Sequence, residues 1–286
     1  MPVIEIRHLT HIYAKDTSFA VTALDDVSLS IEKGDFFAIV GSTGSGKTTL
    51  VQHMNGLLAP SAGSLSVCGA EIVNKSDRRN LWRRVGLVFQ QPEHQLFEET
   101  VRDDIAFGPR NLGLSASGVQ ERVDDAMKMV DLDPAQIGDL SPLRLSGGLR
   151  RKVAIAGVLA LWPEVLVLDE PTAGLDPVSR QRLMARIQRL RTERGMTVVL
   201  VTHNMEDVAA WANRMAVLHR GRLIMAGDPR EVFAQGETLR RIGLDVPATV
   251  RLMQLLRAKG LDLPVDLLTI EEVVAEIAPF FEVRGR

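Results

Sequence analysis

FFAIVGSTGSGKTTL, Phe36–Leu50, decides the fold. Phe36–Val40 is apolar without alternation, the pattern of a strand buried on both faces. Gly41, Ser42, Thr43, Gly44, Ser45, Gly46, Lys47 and Thr48 follow at once and fit G-x-x-x-x-G-K-[ST]. Thr49 continues the run into a helical segment in which Leu50, Met54 and Leu57 recur at near-helical spacing before Pro60 stops it. Strand, glycine loop and helix in that order turn successive backbone N–H groups inward, at the positive end of a helix dipole, where phosphate binds. Lys47 is placed to neutralise β- and γ-phosphate charge, and the Thr48 hydroxyl to ligate Mg²⁺.

Downstream, VLVLDE (Val165–Glu170) and TVVLVTH (Thr197–His203) are further buried strands, and Leu183, Ile187 and Leu190 mark a crossover helix between them. The result is a βαβ unit with Asp169 and Glu170 at the carboxyl edge of a parallel sheet, where ligands bind. Asp169 suits Mg²⁺ coordination, and Glu170 suits polarising the water that attacks a γ-phosphate. His203 ends a neighbouring strand and reaches the same edge. Gln90 ends the apolar run VGLVF, where its amide can face both Mg²⁺ and a water. Ser146, Gly147 and Gly148 precede a second helical stretch and form a second phosphate-ready N-terminus. One nucleotide does not need two cradles far apart in sequence, so the second is expected to serve a nucleotide on another subunit, with ATP at a dimer interface.

Around this centre, Ile4–Leu9 and Ala23–Ile31 alternate in strand fashion, and short alternating pieces from Ser61 to Val73 predict a small antiparallel layer. Val123, Met127 and Val130 stripe a helix bounded by Pro134. After Gly227-Asp228-Pro229 the chain turns helical, so a boundary is placed near residue 228. Thr269 and Glu272 form a capping box for a final helix carrying Ile270, Val273, Val274 and Ile277.

The chain has 286 residues, 45% hydrophobic and 24% charged, enough for a sizeable core and unlike a disordered sequence. Lys plus Arg is 34 against 36 Asp plus Glu, a net charge of −2, so no general basic field exists to hold nucleic acid. Arg182, Arg186 and Arg189 repeat at helical spacing and read as a solvated face. Cys68 is the one cysteine, no leader pattern opens the chain, and no apolar run approaches the roughly 18 residues of a membrane helix. These features place the expected protein inside the cell.

In order, GSTGSGKT, VFQ, LSGG, LVLDEPTAGLD and VTH resemble the ATPase subunits of ABC transporters over residues 3 to about 228. RRVGLVFQQPEHQLFEETVRDDIAFGP, LRLSGGLRRKVAIAGVLA, DEPTAGLDP and the tail GLDVPATVRLMQLLRAKGLDL are similar to an energy-coupling factor (ECF) transporter ATPase of the A-prime type, the cobalt/nickel version being close to it.

The resemblance implies an α/β P-loop NTPase: a RecA-like core with antiparallel β and α-helical subdomains, the latter about 92–160, within an ATPase domain of residues 1–228. Residues 229–286 would be a small, mainly helical dimerisation domain. It makes Gly41–Thr48 the Walker A loop, Gln90 the Q-loop, Leu145–Gly148 the signature, Asp169 and Glu170 the Walker B acid and catalytic base, Leu175-Asp176 the D-loop and His203 the switch histidine. Tyr13, 28 residues before Gly41, stands where the family stacks an aromatic on adenine, with Phe19 and Val21 as substitutes. Leu149 departs from the family's LSGGQ, which implies weakened or asymmetric turnover.

The implied cofactors are ATP and Mg²⁺. The implied partners are a second ATPase subunit, itself or a paralogue, and a membrane T subunit docking in the groove after Gln90, where Glu93, Glu98 and Glu99 would meet its arginines. An S component that selects the solute, a vitamin or a transition-metal ion, is engaged indirectly. The implied place is the cytoplasmic face of the cell membrane. Another ABC importer ATPase, or a soluble ABC ATPase acting on DNA or the ribosome, is the alternative. Gln52–Arg144 carries no sustained heptads for a DNA-type coiled coil, and the chain holds one ATPase half where the ribosomal type needs two. A small-molecule P-loop kinase gives no reason for LSGG or His203.

Overall fold

The computed structural model describes residues 2–282. In chain order the strands are β1 (Pro2–Tyr13), β2 (Val21–Glu32), β3 (Phe36–Gly41), β4 (Ala62–Val67), β5 (Ala70–Glu71), β6 (Val85–Val88), β7 (Val165–Asp169), β8 (Thr197–Val201), β9 (Arg214–His219) and β10 (Arg222–Gly227). The helices are α1 (Lys47–Met54), α2 (Lys75–Asn80), α3 (Val101–Asn111), α4 (Ala116–Met129), α5 (Pro134–Ile137), α6 (Gly147–Leu159), α7 (Pro177–Arg194), α8 (Met205–Trp211), α9 (Pro229–Ala234), α10 (Gly236–Arg241), α11 (Ala248–Ala258) and α12 (Ile270–Glu282).

β2-β1-β4-β5 form an antiparallel sheet, as the alternation of their side chains predicts. The second sheet runs β10-β9-β3-β8-β7-β6, parallel from β9 to β6, with β10 antiparallel at its edge. β3, β7 and β8 are buried at every residue because both faces are covered. Phe37, Ile39, Val165, Val167, Val199 and Val201 face α1 and the antiparallel sheet. The alternate residues Phe36, Leu166, Leu168, Val198 and Leu200 face a layer built by α3, α4, α6 and α7. Removing Phe36 from water stabilises by roughly 1.5–3 kcal/mol, and nothing polar in the strand opposes it.

α7 shows how its ends are set. Pro177 occupies its first turn, the Asp176 carboxylate accepts N–H bonds from Val178 and Ser179, and Gly195 stops it at φ 60°. The residues after Asp228 fold against the same core. Phe233, Leu239, Leu244, Val246 and Val250 share a cluster with Ala38, Val40, Met215 and Val217 of the parallel sheet. Further out, Met253, Leu263 and Val273 make a small cluster of their own.

The Thr269–Glu272 capping box is present: the N–H of Glu272 donates to Thr269 Oγ1, and the N–H of Thr269 to Glu272 Oε2, both at 3.2 Å. Arg230 also donates to Glu272 at 2.5 Å and holds its carboxyl at about 2.

Three expectations change. α1 stops at Met54, and Leu57 lies beyond its end, 54% exposed. In α12 only Val273 of the expected stripe is buried, while Ile270 and Val274 are exposed. Arg186 is not a solvated side chain: it donates to the carbonyls of Lys128 and Met129 and so ties α7 to the end of α4.

Candidate active site

Strand register gathers the chemistry. Val201 is paired with both Ile39 and Asp169, so the loops after β3, β7 and β8 leave one carboxyl edge. A cleft of about 760 Å³ opens there, lined by Gly41, Ser42, Thr43, Gly44, Lys47, Thr48, Gln90, Asp169, Glu170 and His203.

The glycine loop is possible only with glycine at Gly46, where φ is 102° and a Cβ would lie 2.6 Å from the carbonyl oxygen of Ala23. Gly46 also caps α1 without any side chain, and the first turn of α1 carries no acid. The unpaired first-turn N–H groups therefore face the cleft with no internal anion to satisfy them. Ser45 sits beneath the loop, its Oγ buried without a hydrogen-bond partner.

Lys47 Nζ donates to the carbonyls of Gly41 at 2.8 Å and Ser42 at 3.0 Å. Burial lowers its pKa, and the charges of Glu170 and Asp169 oppose that shift. The Thr48 hydroxyl donates to Asp169 Oδ2 at 3.0 Å. Burial raises the Asp169 pKa, against the Thr48 bond and the Lys47 charge.

Glu170 adopts a left-handed backbone, φ 51°, at a cost of roughly 1–3 kcal/mol for a residue with a Cβ. Its own N–H donates to the Val201 carbonyl at 2.9 Å. Its Oε1 accepts the His203 N–H at 3.0 Å and lies 2.6 Å from His203 Nδ1. The Glu170 side chain is 10% exposed and that of His203 74%, so the imidazole covers the carboxylate from the solvent side.

The other expected residues lie elsewhere. Thr49 is on the inner side of α1, its hydroxyl 3.1 Å from the Tyr13 hydroxyl. Tyr13 is 41% exposed and edge-on to His11, outside the lining of the cleft; Phe19 stands 81% exposed and Val21 59%. Ser146, Gly147 and Gly148 are exposed at the start of α6, where Ser146 Oγ accepts the Leu149 N–H at 3.4 Å. Ser146 and Gly148 line a different groove, beside Lys152, Leu175, Ser179 and Arg182, that shares no lining residue with the cleft. Glu93 is not free for a partner, because Arg151 of α6 pairs with it at 3.4 Å. Met205, Glu206 and Gly243–Val246 also line the cleft. Nothing in the sequence marks them, since the segment 243–246 reaches the cleft only through the packing of Leu244 and Val246 on the central sheet.

The donor set suits MgATP. Among the described residues no three His, Cys, Asp or Glu side chains form a metal cluster, so a cation here draws part of its shell from its ligand and water. A hydroxyl, a carboxylate and an amide oxygen are the hard donors Mg²⁺ prefers alongside phosphate oxygens.

The ABC transporter family model matches residues 24–173. The chain is 53% identical to "Energy-coupling factor transporter ATP-binding protein EcfA2" of Symbiobacterium thermophilum, across 97% of this chain and 96% of that protein. Among solved structures it is similar to cbiO1 from Clostridium perfringens, part of the ABC transporter complex cbiONQ, with a TM-score of 0.75, 34% identity and coverage of 91% and 99% of the two chains. It is also similar to an ATP-binding cassette in a dimeric, post-hydrolysis state bound to ADP and Pi, with a TM-score of 0.71, 27% identity and coverage of 79% and 98%. The chain belongs to the ABC transporter family and, within it, to the ATP-binding proteins of energy-coupling factor transporters.

Proposed function

We propose that two MgATP bind between this chain and a second ATPase subunit, that closure and hydrolysis follow, and that the cycle drives solute uptake through membrane partners. The observation that carries this reading is the cleft itself: an uncapped helix N-terminus, Lys47, Thr48–Asp169 and the Glu170–His203 pair on one sheet edge. In the reading, the N–H groups of the Walker A loop and Lys47 hold the β- and γ-phosphates. Mg²⁺ supplies charge neutralisation at those oxygens, held by Thr48, Asp169 and Gln90.

Glu170 orients the attacking water and accepts its proton. His203 occupies Oε1, and among the described residues no protein group bonds Oε2, which leaves that oxygen for the water. Tyr13 stacks on the adenine; its hydroxyl, anchored on Thr49, holds the ring near α1. Ser146, Gly147 and Gly148 serve the nucleotide of the second subunit, an arrangement supported by their exposure and their separation from the cleft.

No helix among the described residues is long and apolar enough to cross a membrane, which fits a peripheral subunit on the cytoplasmic face. Its docking place is the groove of about 360 Å³ after Gln90, where exposed Phe97 and Phe107 meet edge to face at 5.0 Å beside Leu96 and Leu161. Glu98 and Glu99 stay available for a cationic partner there, whereas Glu93 is committed internally.

The test is the solution mass of Glu170→Gln, measured by light scattering with and without saturating MgATP. ATP-dependent doubling supports self-complementary composite sites. A monomer that binds ATP assigns the second cradle to a paralogue, and a monomer that does not bind ATP refutes the reading.

A further inference from the structure

Arg151 is buried where three functional segments converge. It sits five residues beyond Ser146 in α6, and its side chain is 11% exposed. Nη1 donates to the carbonyls of Ala173, at 2.5 Å, and Pro171, at 3.4 Å, in the turn that follows Glu170. Nε and Nη2 each lie 3.4 Å from a carboxylate oxygen of Glu93, three residues after Gln90 and three before Leu96 of the apolar groove.

The turn it holds is short and closed on itself, with the Ala173 N–H donating to the Glu170 carbonyl at 3.2 Å. Its other side is pinned by the Thr172 hydroxyl, which donates to Asp207 of α8 at 3.0 Å. A shift of Arg151 therefore moves the backbone of Glu170 against a fixed support. A guanidinium can do this because its planar fork presents several donors in fixed directions, which a lysine ammonium cannot reproduce.

We propose that Arg151 is a positioning residue that couples the Q-loop side of the membrane-facing groove to the catalytic carboxylate, linking Glu93, the turn Pro171–Ala173 and the signature helix. The proposal rests on the reading of Glu170 as the base. A change in the groove is transmitted through Glu93 to Arg151, and from there to the left-handed backbone at Glu170 and to the Ser146–Gly148 turn. Arg151 does not line the cleft that holds Lys47 and Glu170; it lines the separate groove beside Ser146 and Gly148, so it acts on Glu170 only through the turn it holds. Its loss should slow the chemical step and leave the affinity of the Walker A loop intact.

The experiment measures MgATP turnover and ATP-binding stoichiometry in the complex purified through a tag on this chain, for wild type, Arg151→Ala, Arg151→Lys, Glu93→Gln, the Glu93→Gln/Arg151→Lys pair and Glu170→Gln. Coupling predicts that Arg151→Ala lowers kcat by roughly tenfold or more while KM moves less than about threefold and stoichiometry holds. Arg151→Lys should restore only part of the loss, and the double variant should be no slower than the slower single one.

Unchanged kcat in Arg151→Ala overturns the proposal. So does a fall of stoichiometry in step with kcat in both Arg151 variants, which would mark a purely structural role. Glu170→Gln separates the two readings. If it is inactive while Arg151→Ala is fully active, only the coupling fails; if Glu170→Gln keeps turning over, the base assignment fails and the coupling with it.

Discussion

The two helix N-termini proposed to hold phosphate, those of α1 and α6, are finished differently. α1 follows Gly46 with no side-chain cap, opens on Lys47, and faces Asp169, Glu170 and His203 in the same cleft. α6 starts at Ser146, whose hydroxyl caps its own helix, and it opens on a groove that holds neither catalytic carboxylate nor Lys47. Neither first turn carries an acid. In the proposed function the first terminus is an anion site with hydrolytic machinery attached and the second an anion site alone, which would contribute only to chemistry completed elsewhere.

The sharpest way to break this comparison is to disable the machinery and leave both cradles. Glu170→Gln keeps the size of the side chain and removes the proton acceptor, so turnover should fall by roughly 10² to 10⁴ with ATP binding retained. A loss below tenfold in steady-state hydrolysis would move the base to another group. Lys47→Ala strikes the first cradle directly. Losing hydrogen bonds from a charged donor, worth about 1.5–3 kcal/mol net, should weaken ATP binding by roughly 10- to 150-fold in a fluorescent-nucleotide titration of the single subunit. Ser146→Ala should leave that titration unchanged, while ATP-driven association weakens by roughly three- to thirtyfold. Equal effects of both substitutions on the single subunit would erase the distinction.

The strand, glycine loop and helix start of the first cradle were legible in the sequence because they are local, occupying fifteen consecutive residues, Phe36–Leu50. The sheet edge was legible too, since buried parallel strands leave their next residues at one end, and Asp169, Glu170 and His203 lie there. What the sequence hid was long-range. Glu93 reads as a charge for a partner's arginine and Arg186 as a solvated one, and only tertiary packing shows them bound within the chain, to Arg151 and to the carbonyls at the end of α4. The left-handed backbone of Glu170 has no sequence signal either, because the strain is imposed by the Val201 bond and the turn after it. Likewise, a compositional change at residue 228 says nothing of Gly243–Val246 returning to line the nucleotide cleft.

The smallest effect is expected at the residue by which the second cradle departs from its family. Leu149 gives its N–H to Ser146 and rests its half-buried side chain on the cluster under α6. The turn that presents Ser146, Gly147 and Gly148 therefore forms without a glutamine, and on the proposed reading what leucine lacks is a polar contact to the opposing nucleotide. Such a contact is worth about 0.5–1.5 kcal/mol, at most roughly tenfold in affinity. Leu149→Gln should accordingly lower the MgATP concentration for half-maximal association by no more than about tenfold, with the single-subunit titration unmoved. No change at all would mean that position 149 does not face the partner's nucleotide. A much larger gain would mean that leucine holds the turn in a different shape, which the Ser146–Leu149 hydrogen bond argues against.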